Sequence, residues 1–144
     1  MSVATQNAST LLKEINADLG HGFYLTYEEP SENSKQYAFD ITKRNMEDLY
    51  NLAPEWGWNG KIFEWKYLFL IFFKDETKMK EINNSKQFTL FVVDKEGVRF
   101  GISCIRWLVE NEEPVLYLYE IQLEEQACRK GLGYRVSNII VKKF

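Results

Sequence analysis

Three segments of strand-forming residues follow one another in the second half of the chain, and they constrain the fold more than any other feature. They cover residues 88–93, 98–109 and 115–123, and all are rich in β-branched and aromatic side chains. Polar stretches at residues 94–97 and 110–114 separate them and are short enough to be turns. The sequence therefore predicts three successive strands that pair antiparallel.

The first half of the chain mixes helical and extended patterns. Ser9 is placed to cap a helix over residues 10–19, where apolar residues recur at helical spacing. Residues 23–27 alternate like a strand, and residues 30–34 have the composition of a loop. Residues 38–41 are predicted to be extended.

Two further helices complete the expected element order. One is predicted to start at its N-cap Thr42 and to end at Pro54, and another covers residues 134–144. The apolar stripe of the first of these helices comprises Met46, Leu49, Tyr50 and Leu52. Together the elements predict an α+β fold, with a mostly antiparallel sheet flanked by helices.

Length and charge exclude several classes of protein. The 144 residues suffice for one domain, and 18 Lys and Arg against 21 Asp and Glu give a net charge of -3 without a dense basic run. Direct nucleic-acid binding is therefore not expected. The most apolar run, residues 67–73, is far shorter than the ~20 residues of a membrane helix. Cys104 and Cys128 lack metal-like spacing and are expected to be reduced thiols in an intracellular protein.

The chemically informative stretch is residues 115–133, a strand and a loop followed by a glycine turn that opens a helix. Unpaired N–H groups at a helix start bind anions. Gly131 and Gly133 would let a pyrophosphate approach the backbone, beside the charges of Arg129 and Lys130. The same residues would also fit a glycine turn whose basic side chains are only solvated. The strand directly upstream favours a cofactor-binding unit instead.

In three motifs the chain resembles the GNAT acetyltransferases and, within them, the NatD branch, which acetylates the α-amine of histones beginning Ser-Gly-Arg-Gly. The motifs are Phe39-Asp-Ile-Thr-Lys-Arg-Asn-Met46 with Leu49-Tyr50, then Glu55-Trp-Gly-Trp58, then Leu116-Tyr-Leu-Tyr-Glu-Ile-Gln-Leu123 with Arg129-Lys-Gly-Leu-Gly133. The resemblance implies the GNAT fold and acetyl-CoA as co-substrate, with no metal. It also implies a monomer of the cytoplasm and nucleus that acts on histone N-terminal tails.

The resemblance also assigns roles to individual residues. Catalysis is expected from Glu120, a base that acts through a water, and from Tyr119. Residues expected to bind acetyl-CoA are Ile121, Gln122, Leu123, Arg129, Lys130, Gly131, Leu132, Gly133 and Tyr134. Residues expected to bind the peptide are Tyr50, Trp56, Glu110, Tyr117 and Tyr119. Strand alternation predicts Tyr117 and Tyr119 on one face of the strand and Glu120 on the other.

Some positions depart from the family pattern. Leu108 stands where an Asp is usual, which weakens the expected recognition of the histone arginine, and Cys128 replaces the usual Arg or Gln of the glycine turn. Tyr50 is one residue farther from Trp56 than is usual. Residues 60–74 have no family counterpart. Two retained introns, with donor sequences at residues 60–61 and 136–137, would explain this insertion and an atypical tail; a lineage-specific insertion that forms a strand is the alternative.

The resemblance thus predicts a single GNAT domain that lacks its C-terminal part. Its expected divisions are an N-terminal helix and strand extension (1–35), a first helix region (36–59), the atypical insertion (60–74), central strands (88–123), and the acetyl-CoA loop with the start of the pyrophosphate helix (124–144). Two other functions stay open. One is an inactive truncated variant that only binds peptide or CoA, and the other is a GNAT of different amine specificity.

Overall fold

The computed structural model describes residues 3–52, 79, 80, 82 and 87–143. The chain divides into two compact units, the first made of Met1–Ser31 with Ser85–Phe144 and the second of Glu32–Asn84. The insertion at residues 60–74, Trp56 and Trp58 lie outside the described residues.

The first unit is built on a five-stranded antiparallel sheet in the order β1-β2-β3-β4-β5. Its elements are α1 (Val3–Lys13), β1 (Asn16–Gly20), β2 (Phe23–Tyr27), β3 (Gln87–Val93), β4 (Arg99–Glu110), β5 (Glu113–Leu123), a 3₁₀ turn (Glu125–Ala127) and α3 (Leu132–Lys143). The second unit contains α2 (Glu32–Leu52). The predicted α+β class with a mostly antiparallel sheet is confirmed, and this architecture is compatible with an acyltransferase-like fold.

Tight turns join the last three strands as the sequence predicts. Between β3 and β4, one carboxylate oxygen of Asp94 accepts hydrogen bonds from the backbone N–H groups of Glu96 and Val98, both at 2.9 Å. Between β4 and β5, Asn111 and Glu112 both have positive φ, 49° and 67°. Two successive residues of this kind form the turn that best suits the twist of paired strands.

One face of the sheet forms the hydrophobic core with α1 and α3. The sheet contributes alternate residues of its strands, and the helices contribute residues spaced three or four apart. The fully buried members include Leu12 from α1, Leu25 from β2, Leu90 and Val92 from β3, Ile105 from β4, and Leu132 and Val136 from α3. Of the helices that the structure describes, none is both long enough and apolar enough for a membrane span.

The predicted helix over residues 10–19 is wrong at both ends. α1 begins at Val3, so Ser9 is an interior residue and not the N-cap, and it ends at Lys13, before β1 begins at Asn16. Leu12, Ile15 and Leu19 are nevertheless buried, as expected. A spacing of four residues is common to one helical turn and to every second residue on one face of a strand. The apolar pattern therefore identified three buried residues but not their conformation, and its fourth member, Leu11, is 44% exposed.

The extended segment predicted at residues 38–41 is also wrong, since α2 runs without interruption from Glu32 to Leu52. The buried residues Ser34, Ala38, Ile41 and Thr42 are spaced as one helical face. The Thr42 hydroxyl donates to the carbonyl of Ala38 at 2.8 Å, four residues earlier. Thr42 is thus an interior helical residue that bonds back to its own helix, and not the N-cap.

Candidate functional site

A single extra residue in β5 determines which predicted site residues share a face. The pairing with β4 passes from Glu120 directly to Leu118, so Tyr119 is the additional residue of a β-bulge. The bulge brings Glu120 to the same face of the sheet as Tyr117. The strict alternation expected from the sequence, with these two residues on opposite faces, is therefore wrong.

The face that carries Tyr117 and Glu120 is called the site face below. It is the face opposite to the core that α1 and α3 cover. Its members on the last two strands are Ile102, Cys104, Arg106, Leu108 and Glu110 from β4, and Glu113, Val115, Tyr117, Glu120 and Gln122 from β5. Four predicted site residues, Glu110, Tyr117, Glu120 and Gln122, thus lie on one face of neighbouring strands.

Glu110 and Tyr117 contact each other directly. The Tyr117 hydroxyl donates a hydrogen bond to a carboxylate oxygen of Glu110. This hydrogen bond is the main cause that raises the pKa of Tyr117 above its usual value, with smaller contributions from burial and from the carboxylate charge. The pair joins two of the five residues that were predicted to bind the peptide.

Glu120 lies opposite the buried Cys104 and is itself partly buried. The side-chain amide of Gln122 donates to one carboxylate oxygen of Glu120 at 2.9 Å. This bond orients the carboxylate on the site face, where an oriented carboxylate can act as a proton acceptor.

Tyr119 contacts a residue that the sequence analysis did not single out. The guanidinium carbon of Arg106 lies 4.2 Å from the centroid of the Tyr119 ring. The Tyr119 ring therefore reaches the site face, even though 54% of the residue is exposed. Arg106 is fixed from the other side by Gln87, whose side-chain oxygen Oε1 accepts two hydrogen bonds from the guanidinium.

The glycine turn after β5 has the form that the sequence predicts. Arg129 and Gly131 have positive φ, 59° and 69°, and α3 follows directly. The first helical hydrogen bond runs from the N–H of Arg135 to the carbonyl of Gly131 at 3.1 Å. Gly131 is therefore the N-cap, and without a side chain it cannot cap the first-turn N–H groups.

Gly133 lies in the first turn of α3, and the fold itself does not require a glycine there. Its φ is not positive, and an added Cβ would meet no atom of the described part of the chain within 4 Å. The neighbouring Leu132 is buried in the core, whereas Tyr134 is 74% exposed. The start of α3 is thus held in place by the buried Leu132, while its backbone is accessible from solvent, as anion binding requires.

Two contacts fix this turn and helix on the first unit. Arg135 donates to the carbonyl of Leu19 in β1 at 3.0 Å. The Cys128 thiol donates to the carbonyl of Glu124 at 3.3 Å, and this bond stabilises the loop from within.

The remaining predicted residues divide into several groups. Ile121 and Leu123 pack against the hydrophobic core, so of the predicted strand positions 121–123 only Gln122 has its side chain on the site face. Arg129 and Lys130 are exposed in the turn. Tyr50 lies in α2, in the second unit, and its side chain is not described; Trp56 lies outside the described residues.

Sequence reasoning missed Arg106 and Gln87. A charged Arg106 inside the apolar strand at residues 98–109 is as unusual as Glu120 in the next strand. The same argument that singled out Glu120 would have found Arg106. Gln87 precedes its predicted strand, and only the pairing of β3 with β4 reveals its contact.

A comparison of the chain with models of known protein families finds no match. Among the described residues, no group of three or more His, Cys, Asp or Glu side chains is arranged to hold a metal ion.

Proposed function

We propose that this chain is an N-α-acetyltransferase of the NatD branch of the GNAT family, which transfers acetyl from acetyl-CoA to histone tails beginning Ser-Gly-Arg-Gly in the cytoplasm and nucleus. The observation that carries the proposal is the bulge at Tyr119. It gathers Tyr117, Tyr119 and Glu120 beside one another on the strand that leads into the glycine turn. A proton acceptor, an aromatic wall and a candidate anion site are thereby contiguous along one segment.

The proposed reaction is direct transfer. The neutral α-amine attacks the thioester carbonyl carbon, the new C–N bond forms, and the C–S bond breaks to release CoA. Glu120 takes the proton of the amine through a water. Because β5 is an edge strand of the described sheet, alternate N–H groups along it point away from β4. One of these groups would stabilise the oxyanion, and much of the acceleration would come from holding the two reactants together.

The proposed acetyl-CoA site is the turn between β5 and α3. The uncapped N–H groups of residues 132–134 would donate to the pyrophosphate, and Arg129 and Lys130 would add positive charge. The open space next to Gly133 supports this assignment, because the fold leaves a gap where most helices would carry a side chain.

A specific observation favours the second candidate, a GNAT of other amine specificity. Leu108 lies on the site face between Arg106 and Glu110, at the position of the family's usual Asp. Of these two positions, 108 and 110, only Glu110 offers a carboxylate to bind the histone arginine, and Tyr117 already donates to it. A substrate amine that carries no second positive charge would not need a carboxylate on the site face to bind it.

Acetyl transfer to a Ser-Gly-Arg-Gly peptide tests the proposal. The controls are a peptide with a blocked N-terminus and an internal lysine, and a small amine. Mass-spectrometric location of acetyl on the serine α-amine supports the NatD function, and transfer only to the controls supports the second candidate. Binding of peptide or CoA without any transfer would identify the chain as an inactive variant.

A further inference from the structure

Arg106 occupies the site face between β3 and β5 and is held from both sides. Its direct neighbour on β3 is Gln87, and its Nε and Nη2 donate to the side-chain oxygen Oε1 of Gln87 at 3.0 and 2.9 Å. Its guanidinium faces the ring of Tyr119 at 4.2 Å. A planar cation is thus clamped between an amide oxygen and an aromatic ring.

Tyr119 depends on this support more than a regular strand residue would. As the extra residue of the bulge, it has no partner in the register of β4 with β5, and about half of it is exposed. Cation–π contacts at exposed sites are worth about two- to fivefold in an equilibrium constant. The contact with Arg106 therefore biases which way the Tyr119 ring lies.

We propose that Gln87 and Arg106 form a support that fixes the Tyr119 ring on the site face, which makes Arg106 a positioning residue for the peptide substrate. This inference rests on the proposed function, because Tyr119 is a peptide contact there. Lysine cannot replace arginine in this role, since it lacks the planar fork that accepts a ring on its face while donating twice to one oxygen. The support acts on peptide binding and leaves acetyl-CoA binding unaffected.

The chain offers a matched control for Arg106. Arg99, also on β4, lies 5.2 Å from the ring centroid of Phe91 and donates twice to the carboxylate of Glu28. It combines the same two kinds of contact, seven residues away or about 23 Å along the strand at ~3.3 Å per residue. An Arg99→Met variant therefore loses comparable contacts without disturbing Tyr119.

The first arm of the experiment tests the geometry by NMR, independently of activity. The Nε–H proton resonance of Arg106 is expected upfield because the ring faces it, and Tyr119→Leu should move it downfield. Gln87→Leu should speed its exchange with water. An Arg106 resonance that neither variant changes would overturn the proposed support.

The second arm measures KM for the peptide and for acetyl-CoA, with the peptide Kd as a readout that needs no turnover. Arg106→Met and Arg106→Lys should each raise peptide KM or Kd about two- to fivefold. Acetyl-CoA KM should stay constant, and Gln87→Glu, which keeps the acceptor, should bind peptide more tightly than Gln87→Leu. Arg99→Met should leave peptide binding unchanged.

Three outcomes would overturn the inference. If the folded Arg106 variants bind peptide as the unsubstituted chain does, the positioning role is wrong and the proposed function stands. If Arg99→Met weakens peptide binding equally, the effect is one of general stability, and the specific role is again wrong. If the unsubstituted chain neither acetylates nor binds the peptide, the proposed function fails and the role of Arg106 fails with it.

Discussion

At the scale of single residues, the bulge in β5 changes what Glu120 can do. A strictly alternating strand would have turned its carboxylate toward the core formed with α1 and α3, where an ionised group is costly. On the site face it accepts a hydrogen bond from Gln122 and shares its surroundings with Tyr117. The bulge thus makes Glu120 a candidate base, whereas regular alternation would bury its carboxylate in the core.

Replacing Glu120 by glutamine tests this role. Glu120→Gln retains the size and most hydrogen-bonding capacity of the side chain but cannot take a proton from the amine. We expect kcat to fall at least about 100-fold, the lower end for general-base catalysis, with peptide KM within about twofold. Steady-state acetylation kinetics measure both quantities. Glu96→Gln, in the exposed turn between β3 and β4, is the control, and a Glu120→Gln enzyme with half its kcat would rule out the base.

The pair of Tyr117 and Glu110 makes a separate prediction about proton binding. Because the neutral phenol donates to the carboxylate, the pKa of Tyr117 is raised in the folded chain. The stabilisation is present below the usual tyrosine pKa of about 10 and is lost as pH rises through the folded value. Glu110→Gln should lower the Tyr117 pKa. Phenolate absorbance measured against Tyr117→Phe assigns the titration, and an unchanged curve would contradict the contact.

At the scale of elements, local pattern predicted the second half of the chain better than the first. β3, β4, β5 and α3 agree with the predicted segments within a few residues, because each has a long apolar pattern bounded by clear turn residues. At β1, the spacing of the buried Leu19 from Ile15, which directly precedes the strand, fits either a strand or a helix. Pairing with β2 makes this segment a strand, and pairing between strands is a tertiary interaction that the local sequence does not encode.

The candidate site shows the same limit. Its residues Glu110, Tyr117, Tyr119 and Glu120 could be named from motifs, and the glycine turn from its composition. The face that they share could not be predicted, because a bulge moves every later residue of the strand to the opposite face and no sequence pattern identifies it. Arg106 and Gln87 lie 19 residues apart in sequence and meet only through the register of β3 with β4.

The first turn of α3 makes a prediction in which stability and binding change in opposite directions. Gly133→Ala should raise the free energy of unfolding by about 0.5–1 kcal/mol, because alanine favours a helix and its Cβ meets open space. The same methyl group should weaken CoA binding, since it projects where a pyrophosphate would approach. Urea denaturation and CoA titration measure the two effects.

The control for this experiment lies farther along α3. Asn138→Ala also improves helix propensity, but it is beyond the first turn, so it should stabilise the chain without weakening CoA binding. Equal CoA affinity in Gly133→Ala and Asn138→Ala would exclude the first turn of α3 as the pyrophosphate site.

At the scale of the whole molecule, the first unit joins two distant parts of the sequence. β2 pairs with β3 across the residues of the second unit, from Tyr24 opposite Val93 to Tyr27 opposite Leu90. Arg135 of α3 donates to the carbonyl of Leu19, 116 residues earlier. The helix that carries the proposed acetyl-CoA site is therefore held in part by the N-terminal strand. Substitutions in the β1–β2 turn should affect how α3 is held.

Gly20 and Gly22 allow this connection to be measured. Both have positive φ, 79° and 81°, so alanine at either position costs about 1–2 kcal/mol of backbone strain. Only at Gly20 would the added Cβ collide with Nη1 of Arg135, whereas at Gly22 it meets no atom of the described residues within 4 Å. Gly20→Ala should therefore destabilise the chain by about 1 kcal/mol more than Gly22→Ala, the value of one lost hydrogen bond.

A double-mutant cycle attributes that difference to Arg135. In an Arg135→Met background the extra cost of Gly20→Ala over Gly22→Ala should disappear, because the collision and the bond to Leu19 are both absent. Denaturant unfolding followed by circular dichroism gives the free energies. If the two glycine variants are equally stable in the unsubstituted background, α3 is not tied to β1 by this contact. If the difference persists without Arg135, its origin is the turn itself and not the helix.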